Sequence, residues 1–171
     1  MHIEQYDPKT PLSYLAIISD FLRQHADFKS TSDIINHFGA HCMTDVTDAP
    51  EREALKSIQP LPEGFHESAF QFKESAKRRG IIEATFYQTK LVNLRVQLFF
   101  YGWFPRRAAL KFLTREVHPT ITSIIGSAGT IEEHPYPAFV WSNFHGLYVH
   151  TGFHTEYAYV STWLTDTAYL T

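Results

Sequence analysis

Apolar and polar residues alternate most regularly near the middle of the chain, and this pattern predicts the centre of the fold. From position 92 onward every second residue is apolar, in the order Val92, Leu94, Val96, Leu98 and Phe100. A period of two predicts a strand with one buried face. Residues 81–87 form a β-branched and aromatic run, and only residues 88–90 separate the two runs, so we expect a hairpin with a short polar turn.

The opposite face of the second strand is polar at first and becomes aromatic toward its end, at Phe99, Tyr101 and Trp103. A strand end with apolar residues on both faces is expected to be covered on both sides. We therefore predict that this strand is the central strand of an antiparallel sheet and that the rest of the chain packs on it.

Helical periodicity dominates the N-terminal third. Thr10 as N-cap and Pro11 in the first turn predict a helix that ends near His25. A second helix is predicted from Thr31 or Ser32 to Phe38, because Gly39 is a typical residue at the end of a helix. An acceptor at Asp48 followed by Glu51 predicts a short third helix that reaches residue 58.

The rest of the chain is predicted to alternate between strands and one helix. Residues 65–79 fit either a helix or a strand, and we favour the strand because a basic turn leads directly into the hairpin. Pro105 predicts a helix over 106–117, followed by an apolar segment, 119–129, with one helical turn at most. Three further strands are expected, at residues 139–142, 146–150 and 155–165.

These elements predict a single α+β domain, residues 1–171. Residues 1–64 form its helical part, and residues 65–171 form the sheet plus one helix. The sheet is expected to be mostly antiparallel with five to six strands, and the N-terminal helices and the 105–117 helix pack on one face. The element order is similar to that of the cone-shaped fold of ketosteroid isomerase, a resemblance that implies a fold and not a function.

Charge is strongly segregated along the chain, although the net charge is only −3. Residues 1–67 contain eleven acidic and five basic residues, residues 68–115 contain two and ten, and residues 116–171 contain five acidic residues and no Lys or Arg. The single cysteine fits a reducing compartment. The N-terminus has no apolar run typical of a secretory signal, so we expect a cytoplasmic protein.

The candidates for chemistry are few. His37, His41 and Cys42 are zinc-ligand types, but no second pair completes a set of four, so we predict no metal. His150 and Glu156 would lie across from each other if a turn occupied residues 151–154, and such a pair is typical of general acid–base catalysis. We find no glycine-rich phosphate loop and no nucleophile motif, so we predict no cofactor and favour a protein that is not an enzyme.

The basic third of the chain contains a candidate second, basic patch, formed by Arg78, Arg79, Arg106 and Arg107. Nucleic-acid binding would use such a cluster together with aromatic residues. The segment in the position of a recognition helix, residues 47–58, is however acidic. We therefore expect no nucleic acid as a partner. The longest apolar runs are far short of the about 20 residues needed to cross a bilayer, so we expect no membrane as a partner either.

The C-terminal third combines acidic and aromatic residues without Lys or Arg, so we predict that it binds another protein, a basic one. The candidate partner-binding residues are Glu132, Glu133, Trp141, Tyr148, His150, His154, Glu156, Tyr157 and Trp163. In size, compartment and charge the chain resembles bacterial immunity proteins, which implies a small inhibitor that neutralises a toxin by covering it. The alternative is an enzyme or small-ligand-binding protein of cone-shaped α+β fold that uses His150 and Glu156.

Overall fold

The protein is an α+β structure built on one antiparallel sheet, and the computed structural model describes residues 10–50, 52, 59–133 and 136–169. The strands are β1 (Met43–Asp45), β2 (Phe65–Ser75), β3 (Arg78–Tyr87), β4 (Lys90–Phe100), β5 (Thr130–Glu132), β6 (Ala138–Phe144), β7 (Leu147–His154) and β8 (Tyr159–Asp166). Their order across the sheet is β1-β2-β3-β4-β8-β7-β6-β5. The predicted hairpin is therefore confirmed as β3–β4, and β4 lies in the middle of the sheet.

The predicted sheet of five to six strands is too small, since the described residues form eight strands. The two additional strands are β1 and β5, which pair with β2 and β6 at the two edges. Each has only three residues, which is too short for an alternating pattern to be recognised. The strand interpretation of residues 65–79 is confirmed, because β2 pairs with β3 along its length.

The helices are α1 (Tyr14–Gln24), α2 (Thr31–Phe38), α3 (Pro105–Phe112) and α4 (His118–Ile125), with a π-helical turn (Leu113–Val117) between α3 and α4. Short 3₁₀ turns cover His25–Asp27 and Thr167–Tyr169. The predicted second helix is confirmed, and Gly39 ends it with φ 88°. The predicted helix over 48–58 lies for the most part outside the described residues, as do residues 1–9.

The helices pack on one face of the sheet and form the core with it. Buried side chains on this face include Phe70, Ile82, Val96, Val149 and Val160, with α1 contributing Ile17 and Phe21. The first helix starts later than predicted, because Ser13 and not Thr10 caps it, with its Oγ accepting from the Ala16 N–H. The Thr10 N–H instead donates to the His41 carbonyl.

The helix after β4 is longer than predicted and continues through Pro119. A proline inside a helix lacks a donor and clashes with the carbonyl four residues earlier. The preceding turn is π-helical, and the His118 N–H donates to the Leu113 carbonyl five residues back. This wider turn makes room for the ring of Pro119, and the helix ends only at Gly126, in the left-handed conformation.

The predicted covering of the aromatic residues after β4 is wrong. The strand ends at Phe100, and the Tyr101 N–H donates to the Lys77 carbonyl in the β2–β3 turn. Gly102 then adopts φ 124°, which turns the chain away from the sheet. Tyr101, Trp103 and Phe104 consequently lie exposed at this end of the molecule. No helix in the described part of the chain is long and apolar enough to cross a bilayer.

Candidate binding face of the sheet

The sheet face opposite the helices, here called the outer face, brings together several of the predicted partner-binding residues. The register places His150 opposite Trp163 and His154 opposite Tyr159 on β7 and β8. Because side chains alternate along a strand, these four point to the side opposite the core residues Val149 and Val160. Tyr148 lies on the same face, two residues before His150. No helix of the described residues covers this part of the sheet.

Buried residues form the floor of this face. Gly152 lies opposite Ser161, and Gln97 lies opposite Ser161 on the other side. Taller neighbours shield the floor, since Ser161 is buried and its Oγ bonds the His154 Nε2 at 2.9 Å. The imidazole of His154 also stacks on Tyr159, with ring centroids 4.3 Å apart. The result is a row of buried residues between two rows of mostly aromatic ones.

Burial lowers the pKa values of both histidines of this face. For His154 the neighbouring Arg95 and His150 lower the pKa further. Burial also lowers the pKa of His150, against the opposing charge of Glu132. Both imidazoles are therefore neutral near pH 7, and the buried Ser161 hydroxyl is not accessible to a substrate.

A network of ion pairs occupies the other half of the outer face, over β2–β4. Arg52 contacts Glu67 at 2.8 Å and Glu83 at 2.6 Å, and Arg95 contacts Glu83 at 3.6 Å. The Arg95 guanidinium also lies 4.8 Å from the ring centroid of Trp163. These contacts hold the indole in place, and they balance the charge of this half within the chain.

The half of the outer face over β5–β7 is acidic at its margin. Glu132 and Glu133 are exposed at β5, and the charge of Glu132 acts on both Tyr148 and His150. The β7–β8 turn occupies residues 155–158 and exposes Glu156 together with Tyr157, whose side chain is 68% exposed. The structure therefore places acidic groups on two sides of the aromatic residues.

Two predictions about the C-terminal strands are wrong. Trp141 lies on the helix side of the sheet, is buried, and donates its indole N–H to the Ser127 carbonyl at 2.8 Å. His150 faces Trp163 and not Glu156, because the turn lies at 155–158 instead of 151–154. The His150–Glu156 acid–base pair is therefore not formed, and the enzyme alternative loses the pair on which it depended.

The predicted zinc-ligand types do not converge. The His37 Nε2 bonds the Asp20 carboxylate at 2.9 Å, while Cys42 is buried in the core. The described part of the chain contains no cluster of three or more His, Cys, Asp or Glu residues that could hold a metal ion.

The predicted basic patch is divided between three places. Arg78 packs over Phe100 and Phe112, 5.0 Å from each ring centroid, on the core side of β3. Arg79 points to the opposite side of the same strand, because neighbouring residues alternate. Arg106 and Arg107 are exposed on α3.

The sequence reasoning missed the exposed aromatic residues beside α3. Gly102 and Pro105 enclose Trp103 and Phe104, and glycine and proline are residue types that signal the end of a strand.

The fold and this face define a small α+β protein with an open sheet face that is rich in aromatic residues and histidine. The chain matches no protein-family model, no curated protein and no solved structure.

Proposed function

We propose that this chain is a protein-binding module that holds a basic partner protein on the β6–β8 half of its outer face. The observation that supports the proposal is the convergence of Tyr148, His150, His154 and Trp163 on one surface that no helix of the described residues covers. Trp and Tyr are among the residues that contribute most to protein interfaces.

Charge supports a basic partner. Glu132, Glu133 and Glu156 are exposed around the aromatic residues, whereas Arg52 and Arg95 of the outer face are paired with Glu67 and Glu83. Charge complementarity of this kind accelerates association and selects partners. A small inhibitor that neutralises a toxin by covering it, as the immunity-type profile implies, is the kind of protein that we propose.

Trp163 is the expected centre of the interface. Its side chain is 37% exposed and is preorganised by Arg95, so it can bind a partner without first being ordered. Truncation of a central interface residue costs about 2 kcal/mol or more, which corresponds to about a thirtyfold loss of affinity.

The test is co-purification from the native host with the full chain as bait, followed by affinity measurements on the partner found. We expect a basic protein, and we expect Trp163→Ala to weaken its binding about thirtyfold. Trp103→Ala is the matched control, because it removes a tryptophan from a different surface. Reversal of Glu132 and Glu133 to Lys should slow association and reduce its salt dependence. Equal binding by wild type and Trp163→Ala would contradict the proposal.

A further inference from the structure

The exposed turn between β4 and α3 is the most apolar projection on the described surface. Its side chains are Tyr101, Trp103 and Phe104, which are 56%, 92% and 74% exposed, and we call them the aromatic tip. Soluble proteins seldom expose neighbouring large apolar side chains unless the surface binds something. The proposed partner face on β6–β8 does not include these residues.

The tip is held rigidly at both ends. The Phe100 N–H donates to the Ala158 carbonyl, and the Tyr101 N–H donates to the Lys77 carbonyl. On the other side, α3 begins with the Ala108 N–H donating to the Phe104 carbonyl, and Phe112 of this helix packs against Phe100. The aromatic side chains are therefore presented on a fixed support, and their exposure is a property of the fold.

Basic residues surround the tip. Those exposed there are Lys77, Arg106, Arg107, Lys111 and Arg115. Within the described part of the chain none of these five forms an ion pair, whereas Arg78 nearby is paired with Glu74. The chain therefore leaves several positive charges next to its most exposed apolar side chains, and these charges would attract an anionic partner.

From this geometry we propose, contrary to the expectation from sequence of no membrane partner, that the aromatic tip docks on an anionic phospholipid surface. A projecting indole gains free energy at a lipid interface without needing a complementary pocket, and aromatic residues are enriched at that depth. The basic residues around the tip would lie at the level of the lipid phosphates. Behind the tip, Phe104, Arg107, Leu110, Lys111 and Arg115 line an open depression of about 520 Å³ that could receive a headgroup.

A single-stranded nucleic acid is less well matched to this surface. Such ligands are bound in basic grooves along which bases stack on successive aromatic faces. Here the aromatic residues project from one turn, and the basic residues surround that turn instead of following a track. A protein partner would need a pocket to accommodate Trp103, whereas a fluid lipid interface needs none.

The test is co-sedimentation of the full chain with vesicles of phosphatidylcholine alone and with about one-third phosphatidylserine. We expect binding to the anionic vesicles that decreases with salt, and a blue shift of tryptophan fluorescence on binding. Trp103→Ala with Phe104→Ala should abolish both, while Trp163→Ala should leave both unchanged. Replacing Arg106 and Arg107 by Gln should weaken binding about thirtyfold, at about fivefold per cation, whereas Arg23→Gln on the exposed side of α1 should not.

Three outcomes would overturn the proposal. These are equal binding to neutral and anionic vesicles, binding that is unaffected by loss of Trp103 and Phe104, or tighter binding of a single-stranded oligonucleotide with the same dependence on these residues. The variants alter exposed side chains, so circular dichroism should confirm an unchanged fold. Because Trp163→Ala tests the partner face and Trp103→Ala the tip, the two proposals can fail separately.

Discussion

A chain of hydroxyl groups inside the core connects α1 to the strands beneath the outer face. The Tyr14 hydroxyl lies 2.7 Å from the Thr162 Oγ1, which lies 2.9 Å from the Thr151 Oγ1. Thr151 donates to the Ser161 carbonyl at 3.1 Å. Since Thr151 uses its hydrogen there, Thr162 must donate to Thr151, and Tyr14 must donate to Thr162. Burial raises the pKa of Tyr14, so its phenol stays protonated and remains a donor.

The direction of hydrogen-bond donation along this chain predicts that two nearly isosteric changes destabilise the fold to different extents. Tyr14→Phe removes one donor, but Thr162 still donates to Thr151, so the loss should be about 1 kcal/mol. Thr162→Val leaves the buried phenol with only a distant acceptor, the Val96 carbonyl at 3.4 Å. An unsatisfied buried group costs about 1–3 kcal/mol, so Thr162→Val should be the more destabilising change.

The double variant isolates the interaction. With both groups apolar, no phenol is left unsatisfied, so we expect the double variant to lose less stability than the sum of the two single variants, by about 1 kcal/mol. Urea unfolding followed by circular dichroism measures all three free energies of unfolding. A larger loss for Tyr14→Phe than for Thr162→Val, or strictly additive losses, would refute the assigned direction.

Three further predictions concern the sheet. Gly80→Ala should destabilise by about 3 kcal/mol or more in thermal unfolding, because the new Cβ would lie 2.4 Å from the Gln97 carbonyl oxygen of the neighbouring strand; wild-type stability would contradict this. Burial lowers the pKa of His154, so the unfolded chain binds the proton more readily, and stability should fall as pH decreases through about 6.5. Urea titrations at different pH should show a smaller fall in His154→Gln, and an identical pH dependence would count against the argument. Glu83→Gln should cost about 1 kcal/mol by chemical denaturation, since it weakens the contact with Arg52 in a partly solvated site, and a neutral effect would mean that solvent replaces the pair.

The sequence was most informative where one physical requirement dominates. Alternation over β4 fixes which side chains face the core, and the same period of two along β8 places Tyr159 and Trp163 on the face opposite Val160 and Leu164. Register was less predictable, because it depends on where a turn closes. The β7–β8 turn contains no glycine, and Ala158 adopts a positive φ that residue type does not suggest.

The exposed aromatic tip was mispredicted because a local pattern was extended beyond the strand. Alternation says which side a residue faces only while the chain remains in the sheet, and the contact that ends β4 is with Lys77, more than twenty residues away in sequence. Apolar character alone was taken as burial, although apolar atoms are common on protein surfaces. Only tertiary structure separates a buried aromatic residue from one that projects.

Segregation of charge along the sequence persists only in part in three dimensions, and the unpaired part leaves the chain with two charged surfaces. Some ion pairs join different segments of the chain, as with Arg52 and Glu83 on the sheet or Lys90 and Asp166 near its end. The basic residues around the tip are not neutralised by the acidic residues of the C-terminal third, even though Phe100 and Ala158 join the two turns at one end of the sheet. Salt should therefore weaken both proposed interactions alike. Residue-specific changes at Trp103 and Trp163, rather than ionic strength, are what separate a lipid-docking surface from a partner-binding one.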